Sequence, residues 1–518
     1  MASHGGTTTS YWAEEIELAR PPLTADASCD VCVIGAGIAG LSVAYELAAG
    51  GAAVIVIDAD TPGGGETGRT TAHLMTAFDD RYYNIERHLG RDAARTIAQS
   101  HTAAVARMEA ICAAESIACD FARVDGYLFA ESAEEDEVLT DELEAAHRAG
   151  LTDVTRVSDV QTGRVALPSA LRFPGQGQLH PLKYLRGLID AIERRGGKIH
   201  GKTQAMDVED GRPVVVRTAG GARIHADSVV VASNTPFNDL FALHTKQAAY
   251  RTFVVGMKVP RDSVPVCQFW DTLDPYHYAR IAGDLGPDAQ LLIVGGEDHK
   301  VGQADDADRR LDRLRAWTRE RFPVVGEPMF AWSGQVMEPV DGVAFIGRNP
   351  GNHNVYVVTG DSGNGMTHGA IAGVLIRDLI TRRDNAWADL YDPSRKSLTA
   401  ALEYARENAN VAAQYADWLG SGAATALDSI PSGGGDVVKA NGRHVAAFRD
   451  ERGHLNTFDA ACPHLKCLVQ WNSLEKSFDC PCHGSRFGCD GAVLHGPAKT
   501  GLHRVDVGGD VPPRATSG

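Results

Sequence analysis

Cys462-Pro463-His464 and Cys480-Pro481-Cys482-His483, with fifteen residues between them, form a C-x-H…C-x-x-H pair of half-sites. Two thiolates and two imidazoles at this spacing can hold a [2Fe–2S] cluster, one iron between sulfurs and its neighbour between nitrogens. Replacing two anionic thiolates by neutral imidazoles removes negative charge, so an added electron is accepted more readily. Such a site carries single electrons at a raised potential, roughly −150 to +300 mV. A zinc knuckle, which would favour C-x-x-C pairs, and incidental cysteines are the competing readings.

A second set of residues reads as a nucleotide cradle. The apolar strand Val31-Cys32-Val33-Ile34 runs into Gly35-Ala36-Gly37-Ile38-Ala39-Gly40, a helical stretch over 41–49, and a second strand over 53–57 ending at Asp58. This is a βαβ unit with a G-x-G-x-x-G turn. The first glycine permits the tight turn, and the second lets the backbone approach a pyrophosphate at the positive helix N-terminus. The third lets helix and strand pack closely. Asp58, with Ala59 beside it, can accept hydrogen bonds from ribose hydroxyls.

Two further segments extend the cradle. Gly68-Arg69-Thr70-Thr71-Ala72-His73-Leu74 follows a glycine-rich loop after the second strand. Far downstream, a strand over 354–359 leads into Gly360-Asp361-Ser362-Gly363-Asn364-Gly365-Met366-Thr367-His368-Gly369 and a helix over 370–381. That arrangement can aim another helix N-terminus at a cofactor.

The stretch CPHLKC…CPCHGSRF…GPA resembles the Rieske proteins of cytochrome bc and b6f complexes and the Rieske-type ferredoxins. The resemblance implies that Cys462 and Cys480 bind one iron and His464 and His483 the other. It places Cys467 and Cys482 where high-potential members carry a bracing disulfide, and Gly496-Pro497-Ala498 where a proline loop covers the cluster. Ser485 takes the position of a hydroxyl that donates to a bridging sulfide. Phe487 departs, standing where those members have a tyrosine, which implies a potential below theirs.

VIGAGIAG, GRTT and TGDSGNGMTHG together resemble the D-amino-acid oxidase and glycine oxidase superfamily of flavoenzymes, over about residues 28–385. The resemblance implies noncovalent FAD held by Gly35, Ala36, Gly37, Ile38, Ala39, Gly40, Asp58 and Ala59. Arg69, Thr70, Thr71, Ala72, His73 and Leu74 would add contacts, as would Ala205 near the adenine. Ser362, Gly363, Asn364, Gly365, Met366 and Thr367 would meet the pyrimidine end of the flavin ring.

The implied fold is an α/β Rossmann-like FAD-binding domain with an interleaved antiparallel-sheet substrate domain, followed by a small all-β Rieske domain. The expected limits are 28–385 for the flavin unit, 386–427 for a helical linker and 428–518 for the Rieske unit. Residues 177–181 and a helix over 182–195 read as the middle FAD segment, with His180 as its anchor. Strands are expected over 199–208 and 227–233. The alternation over 240–330 reads as the substrate sheet. Short strands over 437–439, 444–448 and 455–459 precede the cluster loops.

Composition sets bounds on partners. The 518 residues carry a formal net charge of −17, spread along the chain, which argues against nucleic acid or anionic membrane. No apolar run approaches a membrane span and the N-terminus has no signal pattern, so a cytoplasmic protein is expected. Outside the cluster motif, Cys29, Cys32, Cys112, Cys119, Cys267 and Cys489 are scattered. Cys32 lies within an apolar strand and reads as a small buried thiol.

The superfamily's usual substrate is an amine or amino acid that loses hydride from its α-carbon to the flavin. Its α-amino-acid oxidases clamp the carboxylate with an arginine just before the D-G strand. Residues 332–341 contain no arginine here, which argues against a substrate held that way. Tyr250-Arg251 could supply an anion anchor, or Arg251 could be an ordinary surface or inter-strand residue. His73 and His368 flank flavin loops and could relay protons, or could simply hold structure. No second G-x-G-x-x-G unit is present, so electrons are expected from an organic substrate, not NAD(P)H.

The expected reaction is oxidation of a C–N bond, with electrons passing from FAD to the cluster and on to a quinone, cytochrome or ferredoxin-like acceptor. Reverse flow from an external reductase and a non-catalytic electron-transfer module are the alternatives. A homo-oligomer stays open. The imidazole edge of the Rieske unit is expected to dock toward an opening over the FAD, within one chain or across a dimer. A module that shuttles to a separate protein is the competing reading.

Overall fold

In the computed structural model, residues 6–13, 16–132, 135–238, 243–395, 410 and 427–507 are described. The βαβ unit forms as its hydrophobic pattern requires. Ala27–Ile34 pairs in parallel with Val54–Ile57 on one side and with Arg223–Val231 on the other. Lys198–His200 extends the parallel set beyond Val54–Ile57, and Val355–Thr359 pairs with the far half of Arg223–Val231. Ala205–Glu209, Val214–Thr218 and Phe345–Arg348 complete an eight-stranded sheet. The stretch expected as one strand over 199–208 is two, Lys198–His200 and Ala205–Glu209. The chain turns between them, where the Thr203 N–H donates to the Asp58 carbonyl (2.7 Å).

The helix Ile38–Ala49 is buried on nearly all sides, as a helix apolar around its circumference must be. It packs on Gly365–Ile380, and glycines set the approach. A Cβ at Gly369 would lie 2.9 Å from Ile38 Cγ1, and one at Gly373 would lie 3.0 Å from the Ser42 carbonyl oxygen. The two helix N-termini are thereby brought to the same cavity.

The second sheet has nine strands and is larger than the expected 240–330 segment. Gln247–Pro260 lies between Val325–Pro339 and Ala289–Lys300, followed by His277–Asp284 and Gln268–Asp271. Earlier chain, Ala122–Phe129, Ala170–Gln178 and His73–Leu74, then continues the sheet. Within the expected all-strand segment, Ala307–Arg321 is a helix covering one face through Leu311, Leu314, Trp317 and Thr318. Those four recur at helical spacing, but nine charged residues obscure them in the sequence.

The C-terminal unit holds two small antiparallel sheets. Gly435–Ala440, Arg443–Arg449 and Leu455–Asp459 form one, matching the three expected strands. Gln470–Asn472, Ser477–Asp479, Arg486–Gly488 and Val493–His495 form the other and carry the cluster loops. Most of the expected helical linker, 396–409 and 411–426, lies outside the described residues. Among the described residues no helix is long and apolar enough to cross a membrane.

Candidate cofactor sites and active cavity

A cavity of about 460 Å³ runs along the carboxyl ends of the first sheet's parallel strands. Gly35, Gly37, Ile38, Ala39, Asp58 and Ala59 line one end. Gly35 has φ +106°, and a Cβ there would lie 2.3 Å from the Ala232 carbonyl oxygen. A Cβ at Gly40 would collide with the Gly35 carbonyl, so the third glycine is needed for packing. The Ile38 N–H donates to Thr67 Oγ1 (3.0 Å), and the helix N-terminus has no side-chain cap. Apart from that of Ile38, its first-turn N–H groups are left to a ligand, as a pyrophosphate requires. The Asp58 carboxylate accepts from the Ala36 N–H (2.7 Å) and the Asp60 N–H (2.8 Å), which fixes it at the cavity edge.

Thr70, Thr71, His73, Ala205, Gly363, Gly365 and Met366 also line the cavity. Ala36, Gly40, Ala72, Leu74, Ser362, Asn364 and Thr367 do not line it and instead shape the loops that do. The Ser362 hydroxyl lies 2.9 Å from Asp80 Oδ2 and 2.8 Å from Glu338 Oε2, Asn364 donates to the Ser362 carbonyl, and Thr367 Oγ1 accepts from the Met75 N–H. His73 Nδ1 lies 3.0 Å from Thr71 Oγ1, and its Nε2 is buried with no hydrogen-bond partner. Burial first, and Arg280 second, lower the His73 pKa to about 3, so its imidazole is neutral. His368 also lines the cavity, with Nδ1 2.9 Å from the Asp361 carbonyl. Burial and neighbouring His101 lower its pKa to about 3 as well.

Two arginines go elsewhere than the sequence suggests. Arg251 does not line the cavity; it is buried, donating to Ser333 Oγ (2.7 Å) and lying 3.5 Å from Asp479 in the C-terminal unit. Its guanidinium is consumed by that junction and cannot also anchor a substrate anion. Tyr250 is likewise outside the cavity wall, with Lys300 Nζ 5.7 Å from its ring centroid. Arg69 borders the cavity, but its guanidinium donates to Ser333 O, Thr8 and Glu475, so it ties the two units together.

The second site is built by the cluster loops. Cys462 and Cys480 are buried beside each other, and the His464 and His483 rings stand 5.0 Å apart at 88°. Burial lowers the His464 pKa to about 4 and the His483 pKa to about 3, which favours the neutral, metal-binding imidazole. Cys467 and Cys482 form a disulfide with Cα atoms 6.4 Å apart, joining the two loops. The Ser485 carbonyl accepts from the Cys480 N–H (2.7 Å), and Ser485 Oγ accepts from the Ala498 N–H (3.1 Å). The latter bond ties the Gly496-Pro497-Ala498 loop to the cluster loop.

Both sites share one wall. Val493, Leu494, His495, Gly496, Ala498 and Lys499 line the same cavity as the nucleotide glycines. Gln335 lines it too, while its Nε2 donates to the carbonyl of Gly484 (3.2 Å), next to His483. Gly484 has φ +75°, and a Cβ there would lie 2.6 Å from Ala249 Cβ, so the loop is seated directly on the second sheet. The C-terminal unit is thus docked in the same chain, but not with its imidazoles over the cavity. His464 and His483 face His244, at ring distances of 4.9 and 5.6 Å.

Residues 30–379 match the model of the FAD dependent oxidoreductase family. The chain belongs to that family. Residues 422–506 match the Rieske [2Fe-2S] domain. The Rieske 2Fe-2S iron-sulfur protein YhfW of Bacillus subtilis is 31% identical, across 96% of this chain and 97% of its own length. Gamma-glutamylputrescine oxidoreductase of Escherichia coli is 28% identical over 74% of this chain and 92% of its own. Glycine oxidase from Geobacillus kaustophilus shares the fold of the flavin unit, with a TM-score of 0.60 at 19% identity. It covers 71% of this chain and 99% of its own.

This FAD-dependent oxidoreductase therefore binds FAD, and its Rieske domain binds a [2Fe–2S] cluster. Several residues of the junction and the cavity carried no signal in the sequence. Glu475 and Asp479, the buried acids of the junction, look like ordinary surface charges between short strands. Gln335 and His244 have no motif around them. Asp79 and Asp298, with Trp270, Tyr276 and Tyr278, line the cavity end beyond His73 and come from four separate segments.

Proposed function

We propose that the protein oxidises a C–N bond of an amine or amino-acid-like substrate and exports the electrons through its Rieske domain to an external acceptor. The observation that carries this reading is the shared wall: residues 493–496, Ala498 and Lys499 line the cavity while the Ala498 N–H donates to cluster-loop Ser485. When bound, FAD supplies the two-electron acceptor and the cluster the one-electron exit. The substrate loses hydride, with both electrons of a C–H bond, from the carbon bearing nitrogen, and the nitrogen lone pair closes a C=N bond. Water then converts this iminium to a carbonyl compound and an amine.

The residues around that reaction hold and exclude more than they transfer. The neutral His73 offers Nε2 as a hydrogen-bond partner without placing a charge beside the reacting carbon. Trp270, Tyr276 and Tyr278 keep water out of that end of the cavity. A quinone, cytochrome or ferredoxin-like protein fits as acceptor, and a cytoplasmic setting fits the acidic chain.

Anaerobic stopped-flow mixing with a panel of amines tests the reading. Flavin bleaching followed by appearance of the reduced-cluster signal, with no added reductant, supports it. Bleaching that occurs only when a reduced partner protein is supplied would establish the reverse direction instead.

A further inference from the structure

The end of the cavity beyond His73 is acidic and aromatic. Asp79, Asp298, Trp270, Tyr276 and Tyr278 line it, with Thr252 between them. The cations that line the cavity lie elsewhere: the guanidinium of Arg69 is held by Ser333, Thr8 and Glu475, and Lys499 sits over Phe237 near Gln204. An anionic substrate group would meet carboxylates here; the nearest guanidiniums, Arg81 and Arg310, do not line the cavity and donate to the backbone carbonyls of Asp79, Asp271 and Glu297.

Asp298 is placed deliberately. It sits at a register shift where Ala289–Lys300 pairs with Gln247–Pro260, between the Arg251↔His299 and Phe253↔Gly296 pairs. Gly296 (φ +143°) and Glu297 (φ +62°) take the left-handed backbone that this bulge needs. Bulges of this kind re-aim side chains, and here the result is a carboxylate in the cavity wall. Its Oδ1 is buried and has no hydrogen-bond partner. Neither Asp298 nor Asp79 forms an ion pair among the described residues. Asp79 accepts a hydrogen bond from the Tyr276 hydroxyl (3.3 Å). The Tyr276 and Tyr278 rings stand 5.5 Å apart, and the Thr252 and Tyr278 hydroxyls are 3.0 Å apart.

Carboxylates inside an aromatic wall recognise an alkylammonium, by charge and by the ring faces. The nitrogen at the reacting carbon cannot be that cation, because its lone pair must be free to form the C=N bond. We infer that the substrate carries a second, cationic nitrogen, as in a diamine or polyamine, which Asp298 and Asp79 hold between Trp270, Tyr276 and Tyr278. This deepens the proposed C–N oxidation and rests on it for the identity of the reacting end.

The test is binding to the FAD- and cluster-loaded enzyme, read anaerobically from the perturbed flavin absorbance and by calorimetry. The ligands are 1,4-diaminobutane, 1,6-diaminohexane, 1-aminobutane and 4-aminobutanoate. At least one diamine is expected to bind about ten- to a hundredfold more tightly than 1-aminobutane, with 4-aminobutanoate the weakest. Asp298→Asn and Asp79→Asn, checked for FAD content and cluster absorbance, are expected to reduce that preference. The wild-type series alone decides the matter if either variant misfolds. Equal binding of diamine and monoamine, or tighter binding of 4-aminobutanoate, would overturn the inference. Flavin bleaching by a carboxylate-bearing amine but not by diamines would overturn it while leaving C–N oxidation standing. Tight diamine binding without bleaching would support the recognition and count against the oxidation.

Discussion

Arg69 and Glu475, separated by 406 residues, meet at 2.5 Å across the junction of the flavin and Rieske units, with side-chain exposures of 5% and 0%. Arg251, Asp479 and Arg486 are buried in the same junction, and Ser333 Oγ donates to Glu475 (2.6 Å). A buried pair of this kind is weak evidence for net stability, but removing one partner strands the other in a medium that cannot solvate it. Glu475→Ala should therefore cost about 3–5 kcal/mol. Calorimetry should show this as a lowered or split transition, with the FAD-loaded unit melting apart from the cluster unit. The double variant Arg69→Met/Glu475→Met should recover part of the loss, since no charge is left unpaired.

The same acids make docking sensitive to low pH. Burial pushes the Glu475 pKa up, but Arg69, Arg486 and Arg251 outweigh it and hold the pKa below its ordinary value. Burial likewise pushes the Asp479 pKa up, and Arg486 and Arg251 outweigh it and hold the pKa below its ordinary value. For a depressed carboxylate the stabilisation is fully present above the unfolded pKa, about 4, and is lost as pH falls through the folded value. Thermal stability of the junction should hold from neutrality down to mildly acidic pH and fall below about pH 4. Melting of wild type and Asp479→Asn across that range checks it, and the variant should show the shallower pH dependence.

Gln335 touches both sites, lining the FAD cavity and donating to the Gly484 carbonyl beside His483. Its replacement by leucine keeps volume and removes the hydrogen bond. Amine-driven flavin bleaching should keep its rate in Gln335→Leu, while cluster reduction slows and the cluster potential shifts. Stopped-flow absorbance separates the two phases, and a redox titration reads the potential.

Much of both cofactor sites was legible because the chemistry is local in the chain. Cys462, His464, Cys480 and His483 are recognisable by type and spacing, and the Cys467–Cys482 disulfide follows the Rieske pattern. A Cβ at Gly35 or Gly40 would strike backbone, and one at Gly37 would crowd Thr67 Oγ1, so the nucleotide turn is written into three positions. Arg251 was misplaced for the opposite reason, and Arg69, which lines the cavity, has its guanidinium held in the junction. An arginine's role depends on which acid it meets, and theirs lie 406 and 228 residues away. The facing of His464 and His483 onto His244 has no mark in the sequence either, because only the assembled junction brings these three together. Asp298 depends on a bulge, a one-residue shift that leaves no mark on hydrophobic alternation.

Asp298 and Asp79 also set how substrate binding should vary with pH. Burial first, opposed by Thr252 and reinforced by Asp79, raises the Asp298 pKa to about 7; Arg310 and His277 are its nearby cationic groups. Burial and then Asp80 raise the Asp79 pKa to about 7, against Arg81 and the Tyr276 hydroxyl. A raised carboxylate pKa means the folded protein retains protons that the unfolded chain has lost. Stability from these groups is therefore present at low pH and declines as pH rises toward the folded pKa. Affinity for a cationic amine runs the other way, because only the ionised carboxylates attract it. Binding of 1,4-diaminobutane should strengthen as pH rises through about 7 and level off above it. It should release protons near pH 7, since the bound cation stabilises the ionised forms. Calorimetry in buffers of different ionisation enthalpy reads that release. Asp298→Asn should diminish both the pH dependence and the proton count, whereas a dependence arising only from the ligand's own amines would survive the substitution unchanged.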